Sequence, residues 1–141
     1  MNNDDEVKKV VFKKSKLKIV ENERAIYSFA ELYQFIDFEV KRIYYIQNCQ
    51  QATGQHCHKE ENELFVMVKG KCMAIIDRGN GKEEIPFESP GDAMYVGAYI
   101  WHGFKDFSKD AVLLACSSTN YREDRSDYIE DYEEYRKVIS A

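Results

Sequence analysis

Apolar positions in this chain fall in short runs separated by turn residues. "VKRIYYIQN" at 40–48, "ELFVMVKG" at 63–70, "KCMAIID" at 71–77 and "AVLLACSS" at 111–118 are rich in β-branched and aromatic side chains and predict strands. "DRGNGKEE" at 77–84 sets an Asn-Gly pair between two such runs, which is a hairpin signal. "SPGD" at 89–92 is a second turn, because Pro90 presets φ and Gly91 tolerates a positive one. Many short strands joined by turns predict an all-β sandwich or barrel. The two ends differ. Residues 1–16 are lysine-rich, with one strand predicted at "VKKVVF". From Asp124 onward Tyr128, Tyr132, Tyr135 and Ile139 recur at helical spacing, predicting a helix over 124–141 packed on the barrel. No repeat, linker or low-complexity stretch interrupts the pattern, so the reading is one domain over 1–141.

Composition narrows the function classes. The chain has 141 residues, 44 % of them hydrophobic and 13 % aromatic, the make-up of a folded domain with its own core. A net charge of −5 argues against a nucleic-acid binder. No apolar run approaches the roughly 20 residues of a membrane span, and "MNNDDEVKK" is no signal peptide. Cys49, Cys57, Cys72 and Cys116 lack CxxC spacing and are expected to be reduced thiols of a cytoplasmic protein.

The chemistry concentrates in "GQHCHKEENELFVMVKG" at 54–70, which holds two of the three histidines. On a strand, His56 and His58 point the same way and Cys57 the other. If "KEEN" at 59–62 is a hairpin loop, Glu63 faces His58 across the strand pair, and Phe65 and Met67 continue that face as an apolar floor. Two imidazoles and a carboxylate then meet at one spot, suited either to proton transfer or to holding a metal ion.

The third histidine follows a turn and a strand in "PGDAMYVGAYIWHGF" at 90–104. The two segments resemble the signature motifs of the cupin superfamily, the first at His56, His58, Glu63 and Gly70, the second at Gly91 and His102. Gly97 stands where the second motif usually has proline, and Tyr99 where it has glycine. The resemblance implies a jelly-roll barrel, a double-stranded β-helix, with a short C-terminal helix. In typical metallocupins the positions of His56, His58, Glu63 and His102 bind one metal.

A closer resemblance covers nearly the whole chain. "FEVKRIYYI" at 38–46, "HCHK" at 56–59, "YVGAYIWH" at 95–102, "DFSKDAVLL" at 106–114 and "DYIEDYEEY" at 127–135 are similar, in order and spacing, to the sugar 3,4-ketoisomerases, the WxcM-like cupins. The resemblance implies a cytoplasmic homodimer that isomerises dTDP-4-keto-6-deoxyglucose without a cofactor. The 3-keto product goes to an aminotransferase making 3-amino-3,6-dideoxy sugars of surface glycans such as lipopolysaccharide and S-layer glycan. It further implies His58 as the base at carbon, His56 as its partner at oxygen, and Tyr44 as a hydrogen-bond donor to the enediolate.

Imidazole suits such work, because its unperturbed pKa of about 6.5 lets it take and give protons near neutrality. Arg42 and Arg24 are candidates for the diphosphate, since a guanidinium fork matches phosphate oxygens. Tyr99 and Trp101 are candidates for stacking on thymine or lining the sugar pocket, with Glu63 and His102 completing the substrate site. Two positions depart from the family: Thr53 stands where many ketoisomerases have arginine, and Glu63 where they have glutamine. Glu63 restores the full metallocupin donor set, so a metal-binding cupin, an oxygenase or a small-ligand sensor, is the alternative. An N-terminal strand leaves an open sheet edge, and residues 7–12 are expected to pair with a second subunit.

Overall fold

A computed structural model describes residues 10–140. In chain order the elements are β1 (Phe12–Lys16), β2 (Lys18–Glu21), β3 (Ile26–Phe29), α1 (Leu32–Phe35), β4 (Arg42–Gln47), β5 (Thr53–His58) and β6 (Glu63–Lys69). They continue as β7 (Lys71–Asp77), β8 (Lys82–Glu88), β9 (Asp92–Val96), β10 (Trp101–Lys105), β11 (Val112–Ser117), β12 (Tyr128–Ile129) and α2 (Tyr132–Ser140). Two five-stranded antiparallel sheets form the body, in the orders β1-β9-β6-β11-β4 and β12-β5-β10-β7-β8. The hairpin β2–β3 is a separate two-stranded sheet. This is the expected all-β, cupin-like fold with one short C-terminal helix.

Strand alternation builds the interior. On β6, Phe65 and Met67 turn inward and join Ile76, Phe87, Met94, Phe104 and Leu113 in the barrel core. Leu64 and Val66 turn outward, and the α1 segment covers them with Phe35 and Ile36. With both faces covered, the first five residues of β6 are buried, which explains the unbroken apolar run "LFVM" at 64–67; Val68 beyond it is exposed.

Three expectations need correction. Residues 59–62 do not close a hairpin, because β5 and β6 belong to different sheets. The segment crosses between sheets instead, held by Asp127, which accepts hydrogen bonds from the backbone N–H groups of Glu60 at 2.7 Å and Glu61 at 3.2 Å. The C-terminal helix begins at Tyr132, not near Asp124. Asp131 caps it, its side chain accepting from the Glu134 N–H at 2.9 Å, and the residues before it form a turn and the two-residue strand β12. Tyr135 and Ile139 form the buried face of α2 as the spacing predicted, whereas Tyr128 lies on β12. The predicted strand at 7–12 falls largely outside the described residues. The strand that is described pairs Phe12–Lys16 with β9 of its own chain.

Candidate active site

The site forms where β5 and β10 run side by side. His102 stands directly across from His56, next to a register shift between His102 and Gly103. That approach requires glycine. A Cβ at Gly54, which has φ +78°, would come within 2.8 Å of the His102 carbonyl oxygen. His56 and His58 face the barrel interior, while Cys57 packs on the other side with Trp101, Ile129 and Tyr135. The His56 ring centroid lies 4.9 Å from that of His58 and 4.9 Å from that of His102.

Glu63 reaches this cluster from the opposing sheet. Its Oε1 lies 3.1 Å from His58 Nε2 and 3.4 Å from His102 Nε2. Its Oε2 accepts a short hydrogen bond from the Tyr44 hydroxyl. Complete burial works against its charge, but the contacts with His102 and His58 prevail and hold the carboxyl well below its usual range. So Glu63 does face His58, across the barrel interior and not along a strand pair.

Two more carboxylates crowd His58. Glu61 Oε2 lies 3.1 Å from Nε2, and Asp127 Oδ2 lies 3.3 Å from Nδ1. These contacts are close but poorly aligned. Nδ1 is sealed against Asp127 without a well-formed hydrogen bond, and Nε2 faces Glu61 and Glu63, while the ring lines the cavity. Burial disfavours the charged imidazole here, yet contact with Glu63 and the charges of Glu63, Glu61 and Asp127 outweigh it and raise the pKa. His56 has no carboxylate in contact, and the more distant charge of Glu63 does not compensate. Burial, then the neighbouring His102 and His58, push its pKa down to about 3, so it is neutral at physiological pH.

These groups open on a cavity of about 360 Å³, walled by Arg42, Tyr44, His56, His58, His102 and Tyr128 over a floor that includes Phe65 and Phe104. Arg42 donates to Glu61 at 2.7 Å, and its guanidinium lies 5.4 Å from the Tyr44 ring and 5.7 Å from the Tyr121 ring. Glu61 therefore touches both the cation at the mouth and the imidazole inside.

The structure gathers Arg42, Tyr44, His56, His58, Glu63 and His102, and leaves three predicted residues elsewhere. Arg24 is exposed in the β2–β3 turn and does not line the cavity. Trp101 precedes His102 on β10, so alternation turns it outward against Tyr132 and Tyr135 of α2. Tyr99 packs beside it. Its backbone, at φ 62°, occupies the left-handed conformation that explains the usual glycine, and its carbonyl accepts from the Tyr135 hydroxyl at 2.9 Å. Tyr44 stands in the wall as expected, but its hydroxyl is bound to Glu63 and is not free to donate to a substrate.

Sequence reading missed Glu61, Asp127, Arg125 and Tyr128. Assigning "DRSDY" to a helix hid the last three. The Asx turn from Asp124 to the Ser126 N–H and the Asp131 cap are the signals that separate this wall segment from α2. Tyr128 lies opposite His58 on β12, its ring centroid 4.5 Å from His58 and 4.8 Å from His56. Burial and then Glu61 raise its pKa, keeping the phenol protonated. The Arg125 guanidinium sits 4.0 Å from the Tyr128 ring centroid. Thr53, where the family often has arginine, also lines the cavity, and Arg125 supplies a second cation there.

The donors form two overlapping groups, His56–His58–His102 and His58–Glu61–Glu63, each compact enough to surround an ion. Among the described residues no single group contains all four expected metallocupin ligands.

Residues 11–140 match the family described as FdtA, WxcM-like, C-terminal. The chain belongs to that family. A curated relative, the TDP-4-oxo-6-deoxy-α-D-glucose-3,4-oxoisomerase of Aneurinibacillus thermoaerophilus, is 38 % identical over 107 residues, covering 74 % of this chain and 76 % of that one. The solved 3,4-ketoisomerase of Helicobacter canadensis superposes with a TM-score of 0.82 at 29 % identity, over 92 % of this chain and 98 % of its own. The QdtA 3,4-ketoisomerase of Thermoanaerobacterium thermosaccharolyticum, solved as a histidine-to-asparagine variant with TDP-4-keto-6-deoxyglucose, gives a TM-score of 0.82 at 25 % identity over 91 % and 93 %. Among the described residues of this WxcM-like chain, no helix is long and apolar enough to cross a membrane.

Proposed function

We propose that the chain is a nucleotide-sugar 3,4-ketoisomerase, converting dTDP-4-keto-6-deoxyglucose to a dTDP-3-keto-6-deoxyhexose. One observation carries this reading. A carboxylate-backed imidazole, His58, and a carboxylate-free one, His56, share a single cavity in a chain similar to 3,4-ketoisomerases over most of its length.

Moving the ketone from C4 to C3 needs the C3 proton removed, a proton returned at C4, and an oxygen proton passed from O3 to O4. Proton transfers alone balance the reaction. His58 takes the C3 proton on its imidazole, and Glu63, Glu61 and Asp127 stabilise the imidazolium that forms. The same imidazolium returns the proton to C4. Neutral His56 accepts hydrogen bonds from the sugar oxygens. His102, tied at Nδ1 to the Ile100 carbonyl at 3.0 Å, holds Glu63 in place. A cavity of about 360 Å³ is at the small end for ligand sites, so it takes the sugar and leaves the nucleotide along the mouth, with Arg42 at the diphosphate.

The hairpin β2–β3 exposes Ile19, Val20, Ile26, Tyr27 and Phe29, and Ile43 and Tyr45 are exposed on β4. Such apolar surface supports a homodimer. Its free cysteines, three of them buried, suit a cytoplasmic enzyme whose 3-keto product feeds an aminotransferase for surface-glycan sugars. Sedimentation of wild type against Tyr27→Lys tests the dimer; a wild-type monomer at micromolar concentration contradicts it.

Incubating the protein with TDP-4-keto-6-deoxyglucose in D2O, followed by NMR, tests the activity. The expected result is a carbonyl at C3 and a new C–H bond at C4, with deuterium there only to the extent that the His58 imidazolium exchanges with solvent before returning its proton. Substrate unchanged at high protein concentration would show this reading to be wrong.

A further inference from the structure

We propose that Tyr128 is a catalytic residue, the phenol that passes a proton between the two sugar oxygens. The inference rests on the ketoisomerase reading and adds a group to it. Three observations carry it. Tyr128 lines the cavity directly opposite His58, with its ring edge-on to both imidazoles at 4.5 Å and 4.8 Å. No hydrogen bond engages its hydroxyl among the described residues, whereas Tyr44 is bound to Glu63 and Tyr132 to Asp77 at 2.5 Å. The Arg125 guanidinium, paired with Glu130, lies over its ring at 4.0 Å and favours negative charge developing on the phenol oxygen.

The reaction needs such a group. His58 is occupied with the carbon proton from C3 until it returns it at C4. His56 has two imidazole rings beside it and no carboxylate in contact, so it is placed to accept hydrogen bonds and not to hold a proton. A phenol does both halves of the oxygen exchange. As His58 breaks the C3–H bond, the electrons move to form the C3–C4 double bond, and the Tyr128 O–H donates its proton to O4. As O3 then becomes the carbonyl oxygen, it gives its proton to the Tyr128 oxygen, and imidazolium His58 protonates C4. One C–H and one O–H bond break, one of each forms, and Tyr128 ends as it began. Arg125 acts through Tyr128 as a positioning residue.

The test compares wild type with Tyr128→Phe, which keeps the ring against both imidazoles and removes only the hydroxyl. We expect kcat to fall by about 10²-fold, the lower part of the range for proton-transfer groups, with KM and TDP affinity by calorimetry within about twofold of wild type. Retained TDP binding also establishes that the variant is folded. A kcat within about threefold of wild type overturns the inference, and so does a parallel loss of kcat and TDP binding, which marks Tyr128 as structural. Arg125→Gln should lower kcat by a smaller factor in wild type and have no further effect on kcat when combined with Tyr128→Phe. Independent losses in the double variant count against the link. A wild-type protein that binds TDP but never moves the ketone sinks the ketoisomerase reading itself. Full turnover with an indifferent Tyr128→Phe sinks only this inference.

Discussion

Glu63 and Phe65 stand two residues apart on β6 and face the same barrel interior, yet they belong to regions that work by opposite rules. Around Phe65 and deeper, toward Phe87 and Leu113, side chains fill space with apolar contact. Around Glu63, four acidic or aromatic-nitrogen groups are buried together, and two of their polar atoms, His58 Nδ1 and Glu63 Oε1, lack an aligned partner. An unsatisfied buried polar atom costs about 1–3 kcal/mol, and folding alone gives no reason to bear it. The difference teaches where to expect chemistry: the strands are shared, but the imidazole–carboxylate cluster is confined to the Glu63 end of β6.

That contrast can be broken from either side. The largest effect is expected at the polar end. His58→Asn should lower kcat by about 10²–10⁴-fold while TDP binding persists, and near-normal turnover would remove His58 from the mechanism. At the apolar end, Phe87→Ala should destabilise the fold by about 3–5 kcal/mol in denaturant unfolding. The remaining folded enzyme should keep its kcat; a stable but slow Phe87→Ala enzyme would show the two ends to be coupled.

A subtler change sharpens the comparison. Contact with Glu63 raises the His58 pKa against the effect of burial, and His58 must lose its proton before it can act as a base. Activity should therefore rise with pH through that raised value. Glu63→Gln removes the charge, lowers the His58 pKa and should move the acid limb of the kcat/KM profile to lower pH. An unmoved or upward-moved limb contradicts the assignment. The smallest effect is expected from chelation: activity should be unchanged by it. Loss on chelation with recovery on metal return would favour the metal-binding alternative instead.

The barrel was legible in the chain because alternation and turn chemistry are local. Asn80–Gly81 closes the β7–β8 hairpin where the Asn-Gly signal placed it, and the runs at 63–70 and 71–77 became β6 and β7. The cluster of His56, His58, Glu63 and His102 was legible through motif spacing. What spacing could not show is which sheet each strand joins. Reading 59–62 as a hairpin brought Glu63 to His58 for the wrong reason, since a sheet-crossing segment brings the two together equally well. Trp101 and Tyr99 looked like pocket aromatics beside His102, but the face of β10 decides, and only the position of α2 reveals that face. The wall from Arg125 to Tyr128 stayed hidden because its tyrosine happens to continue the period of the helix that follows.

Asp127 and Tyr128 join the chain's later segment to β5, and every strand of the two sheets other than β12 precedes them in sequence. During synthesis from the N-terminus, the hydrophobic interior can therefore assemble before the cavity has its last wall. A nascent chain at that stage holds His56 and His58 on a formed strand with no Asp127 behind them and no Tyr128 across from them. Competence is acquired after shape, and a chain cut before β12 should fold as a barrel that recognises no sugar.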